Sequence, residues 1–282
     1  MKKGLVLEGG AMRGLFTAGI LDVLMENNVE FDMAVGVSAG AAFGCNYKSR
    51  QIGRVLRYNL RFAKNWHYRS WRSLFLTGDL YGGDFCYHEL PEKLDLFDYD
   101  TYRSNPMEFY AVVTDMETGK PLYKRLDTAD YNDLEWMRAS ASMPLASKIV
   151  KVDGKKLLDG GITDSIPLAF AEEQGCDKSL VILTQPADYV KHAYKIMPII
   201  KAALFKYPNA VEAIRTRHDM YNAETAFVQK RAKEGTAFVL CPPRALGVSA
   251  LENNPDKLKE VYDLGREVAQ NNLAKIIDFL NS

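Results

Sequence analysis

The first fifty residues alternate apolar strands with helical patterns, and this order constrains the fold more than any other feature of the chain. "KKGLVLEGG" is a short strand that ends in glycines, and "LFTAGILDVLMENN" follows it with apolar residues at helical spacing. "FDMAVGV" is the next strand, and a second helix begins in "AGAAFGCNY". Such a strand–helix–strand–helix order is typical of a parallel sheet covered by helices. The sequence therefore predicts an α/β fold with a mainly parallel central sheet flanked by helices.

Further strand patterns follow, and the texture of the sequence changes after about residue 186. "MEFYAVVTDMETGKPLYKR" and "SKIVKVDGKKLLDGG" each predict two strands joined by a turn, and "KSLVILTQP" predicts one buried strand. A long helical pattern then begins at Pro208 and stops at Gly235, and a strand "TAFVLCPP" and a helix from Pro255 to Leu280 complete the chain. We predict a main domain in residues 1–185 and a helix-rich C-terminal extension, residues 186–282, packed on that domain.

The composition is that of an ordinary soluble globular protein. Hydrophobic residues make up 47% of the chain and charged residues 26%, and Lys+Arg equals Asp+Glu at 36. This balance gives no indication of a nucleic-acid partner, and no stretch approaches the ~18 apolar residues that span a bilayer. The four cysteines are dispersed without metal-like spacing, which favours reduced thiols in a cytoplasmic protein.

The second strand runs directly into Gly36-Val37-Ser38-Ala39-Gly40, which matches the pattern G-x-S-x-G. In a nucleophile elbow this pattern places a serine on a sharp strand-to-helix turn with its hydroxyl exposed. Gly36 and Gly40 leave room for the crowded backbone, and the N–H of Ala39 is placed beside the serine, where an oxyanion needs donors. The pattern therefore indicates that Ser38 is a candidate nucleophile.

The first strand opens into "EGGAMRG", a glycine-rich loop before a helix. Consecutive small residues at this position leave backbone N–H groups free to face an anion. That anion is a dinucleotide pyrophosphate, a phosphate or the oxyanion of an acyl-transfer intermediate, and the loop alone does not choose among them. Ala11 stands at the third position of the Rossmann-type pattern, so G-x-G-x-x-G is not strictly matched. A tight turn where only glycine fits is the structural alternative.

An apolar strand in "LLDGGITDSIPL" ends at Asp159, and Gly160 and Gly161 follow it. Partial burial raises the proton affinity of a carboxylate, as a general base toward serine requires. An Asp-Gly turn is the simpler explanation, and this motif by itself favours the turn.

Together and in this order, the three motifs resemble those of the patatin-like phospholipases. The glycine loop resembles that family's D-G-G-G-x-R-G, the serine turn its G-x-S-x-G, and the "DGG" at Asp159 its D-G-[AG]. "RASASMPLAS", residues 138–147, is similar to the Ala-Ser-rich segment before the family's aspartate strand. The resemblance covers roughly residues 4–185 and predicts a patatin-like catalytic domain there. Glu8 stands where the family usually has aspartate and Ala11 replaces its third glycine, but neither change removes a backbone donor.

The resemblance implies a serine lipid acyl hydrolase that cleaves fatty acyl esters through an acyl-enzyme. Ser38 would be the nucleophile, and Asp159 would take its proton directly, as a dyad without histidine. Backbone N–H groups of the loop would bind the oxyanion, and Arg13 would orient the loop or its anion. The loop residues concerned are Gly9, Gly10, Ala11, Arg13 and Gly14. The substrate would be a lipid or small ester, and no metal or organic cofactor is implied.

Two other interpretations stay open. An α/β-hydrolase-type esterase with a Ser-Asp-His triad requires a histidine after Asp159. His218 falls on an apolar helical face, where a packed side chain is expected, so His192 is the candidate, although a nucleophile at position 38 is early for such a fold. A non-catalytic phosphate- or nucleotide-binding module built on "EGGAMRG" needs an acidic residue after the second strand for a ribose. Apart from Asp32, which precedes the serine turn, none is well placed.

The charges are unevenly distributed along the chain. Residues 33–78 contain no Asp or Glu, and in residues 48–75 the cations are interleaved with aromatic side chains. This mixture is typical of peripheral contact with an anionic membrane, where cations meet head groups and rings lie at the interface. Residues 79–100 are acidic, so internal pairing of the two segments explains the pattern equally well. The sequence leaves the oligomeric state open.

Overall fold

All eight strands of the protein belong to one sheet. A computed structural model describes residues 1–282. The strands are β1 (Lys2–Leu7), β2 (Met33–Val37), β3 (Glu108–Asp115), β4 (Lys120–Arg125), β5 (Val150–Val152), β6 (Lys155–Asp159), β7 (Cys176–Ile182) and β8 (Ala237–Leu240). Their hydrogen-bonded order is β5-β6-β3-β2-β1-β7-β8, and β4 also pairs with β3. The pairings among β3, β2, β1, β7 and β8 are parallel, while β4, β5 and β6 pair antiparallel. The predicted α/β fold with a mainly parallel sheet is confirmed.

Helices cover both faces of this sheet. They are α1 (Gly14–Glu26), α2 (Ala39–Lys48), α3 (Arg54–Arg61), α4 (Trp71–Thr77), α5 (Tyr99–Ser104), α6 (Tyr131–Ser140), α7 (Leu168–Glu173), α8 (Met197–Ala203), α9 (Pro208–Glu234) and α10 (Pro255–Asn281). Leu5 and Leu7 of β1 join one apolar cluster with α1, α2 and α10, whereas Val6 joins a second cluster with α7 and α9. Alternate residues of a strand point to opposite faces, so a strand that is apolar throughout requires cover on both sides. No helix combines the length and the apolar character needed to cross a bilayer.

The register of β3 brings the ends of β2 and β6 together. Val37, the last residue of β2, pairs with Val112, and Asp159, the last residue of β6, pairs with Val113. Because β4 pairs with both of these β3 residues, it occupies one edge of β3 and leaves the other edge to β2 and β6. β6 therefore meets β3 where β2 ends, and the turn after β2 lies beside Asp159.

The C-terminal residues contribute to the same sheet and cover it. β8 pairs in parallel with β7 at the sheet edge, and α10 packs against α1. The two helices approach closely at glycines: an added Cβ at Gly19 would lie 2.1 Å from the Tyr262 carbonyl oxygen, and one at Gly265 would lie 2.0 Å from the Phe16 carbonyl oxygen. The division into domains after residue 185 stays a prediction.

Candidate active site

Ser38 occupies the sharp turn between β2 and α2. Its φ of 56° and ψ of −122° are rare for a residue other than glycine. A Cβ at Gly36 would lie 2.6 Å from the Ala41 nitrogen, and one at Gly40 would lie 2.4 Å from the Leu7 carbonyl oxygen, so both flanking positions require glycine. The carbonyl of Ser38 accepts the Ala41 amide at 3.0 Å, which begins α2 immediately. This geometry is that of a strand–serine–helix elbow.

Asp159 is buried at the end of β6, next to the elbow. Its Oδ1 accepts the Gly161 amide at 2.8 Å, and its own amide donates to the Ser142 carbonyl at 2.8 Å. Gly160 is pressed against β3, because an added Cβ would lie 2.2 Å from the Val112 carbonyl oxygen. The aspartate therefore ends a strand and begins a 3-10 turn, and its carboxylate is held in one orientation.

The environment of Asp159 suits a group that accepts a proton. Burial raises the pKa of this carboxyl above its ordinary value, against the opposing effects of the nearby Ser38 hydroxyl, the Arg217 charge and the Gly161 amide. The Ser38 hydroxyl is close enough to this carboxylate to favour its charged form. Catalytic hydrogen bonds are often long without substrate and tighten in the complex. Both side chains line the same cavity.

The end of α6 connects the serine with the aspartate. The Ser38 amide donates to Ser140 Oγ at 3.0 Å, and the Ser142 carbonyl accepts the Asp159 amide. Both Ser140 and Ser142 are buried. The Ala-Ser-rich segment noted in the sequence thus fixes the relative positions of the two site residues.

The glycine loop lies against the elbow with free amides. Neither the Gly9 nor the Gly10 amide donates a hydrogen bond within the protein. A Cβ at Gly9 would lie 2.9 Å from the Ser38 Cβ, so only glycine allows this approach. Ala11 adopts a left-handed φ of 47° and contributes to both cavities that meet at Ser38.

The residues that follow the loop pack on the start of α2. Gly14 begins α1, and an added Cβ there would lie 2.9 Å from the Ala39 Cβ. The side chain of Arg13 lines a cavity with Ser38, and its buried Nε has no hydrogen-bond partner. The predicted loop residues therefore all lie close to the serine, and the Ala39 amide belongs to the first helical turn, where amides lack intrahelical acceptors.

Two cavities of opposite character meet at Ser38. Of the 25 residues that line the first, 17 are hydrophobic, among them Ala42, Phe43, Leu90, Leu134 and Met137. The second contains the carboxylates of Glu8 and Asp159 and three cations, which are Arg13, Lys191 and Arg217. Ser38 lines both cavities and therefore lies where they meet.

None of the four histidines lines either cavity. His67 and His192 are exposed, His88 bonds to a glutamate of α6 at 2.9 Å, and His218 lies beside an aspartate of its own helix. No group of three or more His, Cys, Asp or Glu side chains is placed to hold a metal ion.

The sequence did not indicate that α9 forms part of this site. Arg217 bonds to the Gly161 carbonyl, and Glu224 accepts the Ser165 amide at 3.0 Å. The Tyr221 hydroxyl donates to the Glu8 carboxylate at 2.9 Å. The same carboxylate also accepts the amide of Thr184, which follows β7. The available signal was spacing: residues 217, 221 and 224 lie four and three apart and share one helix face.

The basic segment 48–75 divides into buried and exposed parts. Lys48, Arg54 and Arg69 are buried, so these three cations cannot contact lipid head groups. Arg54 and Arg57 both pair with Asp95 of the acidic segment, at 3.3 and 2.7 Å. Internal pairing therefore accounts for part of the pattern, whereas the surface of α4 is strongly apolar, with Trp71, Phe75 and Leu76 exposed by 63%, 86% and 65%.

Several known proteins resemble this chain. It is 30% identical over 286 residues to the uncharacterized protein YjjU of Escherichia coli (strain K12), in a match that covers 93% of this chain and 74% of that protein. It is 26% identical over 181 residues to the lysophospholipase nte1 of Aspergillus oryzae (strain ATCC 42149 / RIB 40), where the match covers 62% of this chain but only 11% of the fungal protein. The crystal structure of VipD from Legionella pneumophila shares 12% identity with a TM-score of 0.49, and the match covers 97% of this chain and 67% of VipD.

Two protein families match the sequence itself. A domain of unknown function (DUF6363) matches residues 207–281, which include α9, β8 and α10. The patatin-like phospholipase family matches residues 5–171, more than half of the chain, and this range contains the glycine loop, the serine elbow and Asp159. The chain therefore belongs to the patatin-like phospholipase family.

Proposed function

We propose that this protein is a serine lipid acyl hydrolase with a Ser38–Asp159 dyad. Ser38 Oγ attacks the carbonyl carbon of a fatty acyl ester while Asp159 accepts the hydroxyl proton, the alcohol then leaves with that proton, and an acyl-enzyme results. Asp159 next takes a proton from the water that attacks the acyl carbonyl carbon. It returns this proton to Ser38 Oγ as the bond between the serine and the acyl group breaks and the fatty acid is released. The observation that carries the proposal is the strained serine at the junction of an apolar cavity and a buried carboxylate, with no histidine lining either cavity.

The glycine loop is proposed to stabilise the charge that develops in the reaction. The tetrahedral intermediate places a negative oxygen beside the nucleophile, where preorganised N–H donors lower the barrier. The amides of Gly9 and Gly10 are free, and that of Ala39 follows the serine directly. The apolar cavity is proposed to take the acyl chain.

A fatty-chain fluorophosphonate tests this assignment, because it reacts with an activated serine and mimics the acyl-enzyme. We expect mass spectrometry to locate the adduct on Ser38, and we expect a panel of phospholipid, lysophospholipid, acylglycerol and short soluble esters to contain a substrate. A folded protein that neither reacts nor hydrolyses any ester would contradict the proposal and favour a binding module. If the adduct forms in the wild type but not in a folded His192→Ala variant, the Ser-Asp-His triad would replace the dyad.

We also propose that α4 brings the protein into peripheral contact with an anionic membrane. Trp71, Phe75 and Leu76 are exposed, and the exposed Arg72 and Lys64 lie in the same segment. The strand-like segment after α4 is bonded to the site region, since the Leu80 amide donates to the Ala146 carbonyl at 2.8 Å. Ala146 lines the cavity that holds Asp159, so the segment that follows α4 is bonded directly to a residue of this cavity.

A further inference from the structure

The cavity beside Asp159 contains more positive than negative charge, and the mechanism leaves the excess unused. Arg13, Lys191 and Arg217 line it. Lys191 and Arg217 lie beyond residue 171, where the match to the patatin-like family ends, and Arg217 belongs to the segment matched as a domain of unknown function.

None of these three cations forms a salt bridge. Lys191 forms no salt bridge, and its ammonium group faces the rings of Tyr221 at 4.3 Å and Tyr189 at 5.6 Å. Arg217 bonds only to neutral groups, which are the Gly161 carbonyl and the Tyr194 hydroxyl. The Arg13 Nε is buried without a partner. All three residues are half-buried. A partly desolvated cation without a salt-bridge partner is unfavourable, and an arriving anion relieves this cost.

The carboxylates nearby do not neutralise the cavity. Glu8 is buried, and its two oxygens already accept the Thr184 amide and the Tyr221 hydroxyl. Burial also raises the pKa of Glu8 above its ordinary value, and it lowers the pKa of Lys191 to about 8. Asp159 provides the other carboxylate, so three cations face two acidic groups.

We propose that Lys191 and Arg217, together with Arg13, bind the phosphate of the substrate's head group while its acyl chain lies in the apolar cavity. This rests on the proposed hydrolase function and specifies its substrate class, a fatty acyl ester that carries a phosphate. Arginine and lysine are the side chains that bind phosphate, and Arg217 presents a planar fork while Lys191 presents a point charge. The C-terminal segment thereby determines specificity in a reaction that the patatin-like segment catalyses.

The test compares two esters that differ only in the phosphate, 1-acylglycerol-3-phosphate and 1-monoacylglycerol with the same acyl chain. The chain of 282 residues is assayed at ester concentrations below those at which micelles form, and the ratio of kcat/KM for the two esters is measured. We expect the wild type to prefer the phosphate ester by at least about tenfold. Lys191→Met, which keeps the length of the apolar stem, should lower this ratio by at least about tenfold, mainly through KM. Lys195→Met, at an exposed lysine four residues away, should keep the wild-type ratio.

Inorganic phosphate separates head-group binding from an effector site. We expect it to compete with the phosphate ester in the wild type and to compete more weakly in Lys191→Met. A wild type without preference, a Lys191→Met ratio equal to that of the wild type, or a phosphate effect on kcat without competition would overturn the inference. If the wild type hydrolyses neither ester nor any other of the panel, the proposed function itself fails, which is a distinguishable result.

Discussion

The serine turn concentrates backbone strain at a single residue. Ser38 holds a φ of 56°, and such conformations cost about 1–3 kcal/mol and persist only where the surroundings enforce them. Three neighbours do so here: Gly9 allows close approach of the loop, Gly40 allows close approach of β1, and Ser140 accepts the serine amide. The strain keeps the hydroxyl at the junction of the two cavities.

The protonation of Asp159 predicts how activity depends on pH. The base must be charged to accept a proton, and burial raises its pKa, so kcat/KM should fall as the pH falls through a midpoint above about 4, the ordinary value for aspartate. A pH–rate profile on a soluble ester measures this midpoint. His192→Ala should keep the same acid limb, because that side chain is exposed and lines neither cavity. A limb that disappears in the histidine variant would contradict the dyad.

At the level of single residues, the sequence indicates which positions a tight turn requires, but it says less about what each side chain does. Ser38 and the glycines around it are recognisable because a local turn requires them. Asp159 alone favoured an ordinary Asp-Gly turn, and only the resemblance to a family marked it as a base. Asp159 reaches the serine turn because β6 pairs with β3 so that Asp159 lies opposite Val113, which is 46 positions earlier in the chain. No local sequence pattern encodes that register.

Among the elements, α9 makes contacts with the site that the sequence did not predict. The sequence predicts the helix itself, and Ile214, Tyr221 and Val228 on one of its faces are buried. The polar ends of the same face bond to segments far away in the chain, at Glu8 and Gly161. Since periodicity reports which face is buried and not what it meets, these roles were not predictable. The short helices α3 to α8 were likewise missed, because a few residues carry too little periodicity.

Glu224 of α9 gives a stability prediction at this scale. Its carboxyl accepts the amides of Ser165 and Ile166, and burial together with the neighbouring Asp164 raises its pKa to about 9. The folded state therefore binds more protons than the unfolded chain between about pH 4.3 and 9, so stability falls as the pH rises through this window. Glu224→Gln resembles the protonated acid, and its free energy of unfolding should fall less over that range.

Urea unfolding at pH 6 and pH 8.5 measures the difference. An equal pH dependence in Glu224→Gln and the wild type would contradict the assigned protonation. Glu224→Ala is the matched comparison: it leaves two amides without an acceptor, so we expect it to be destabilised by about 1–3 kcal/mol at both values.

For the whole molecule, the order of strands and helices was predictable and the surface was not. Apolar strands that end in glycine are local signals, and the α/β fold follows from their alternation. Charges are different, because the sequence does not show which cations of residues 48–75 are buried. Arg69 is buried next to Met12, while the apolar face of α4 is exposed.

The exposed face of α4 predicts lipid binding at the scale of the molecule. Phe75→Ser removes a ring that is 86% exposed, and we expect weaker co-sedimentation with phosphatidylglycerol vesicles. Hydrolysis of a short soluble ester should not change, since α4 lines neither cavity at Ser38. Leu96→Ser, at an apolar residue outside α4 that is 66% exposed, is the control. Equal vesicle binding by the Phe75 variant and the wild type would rule out docking through α4.

The dyad is tested most directly by the turnover of one ester by Ser38→Ala, Asp159→Asn and the double variant, each shown to be folded by circular dichroism. Residues that act as a unit are not additive, so each single variant should reduce kcat close to background and the double variant should be little worse. Asp159→Asn is the decisive protein, because its amide keeps the shape of the carboxylate but cannot take the serine proton. Background activity in this variant is the predicted result, and a folded Asp159→Asn protein with wild-type turnover would contradict the account.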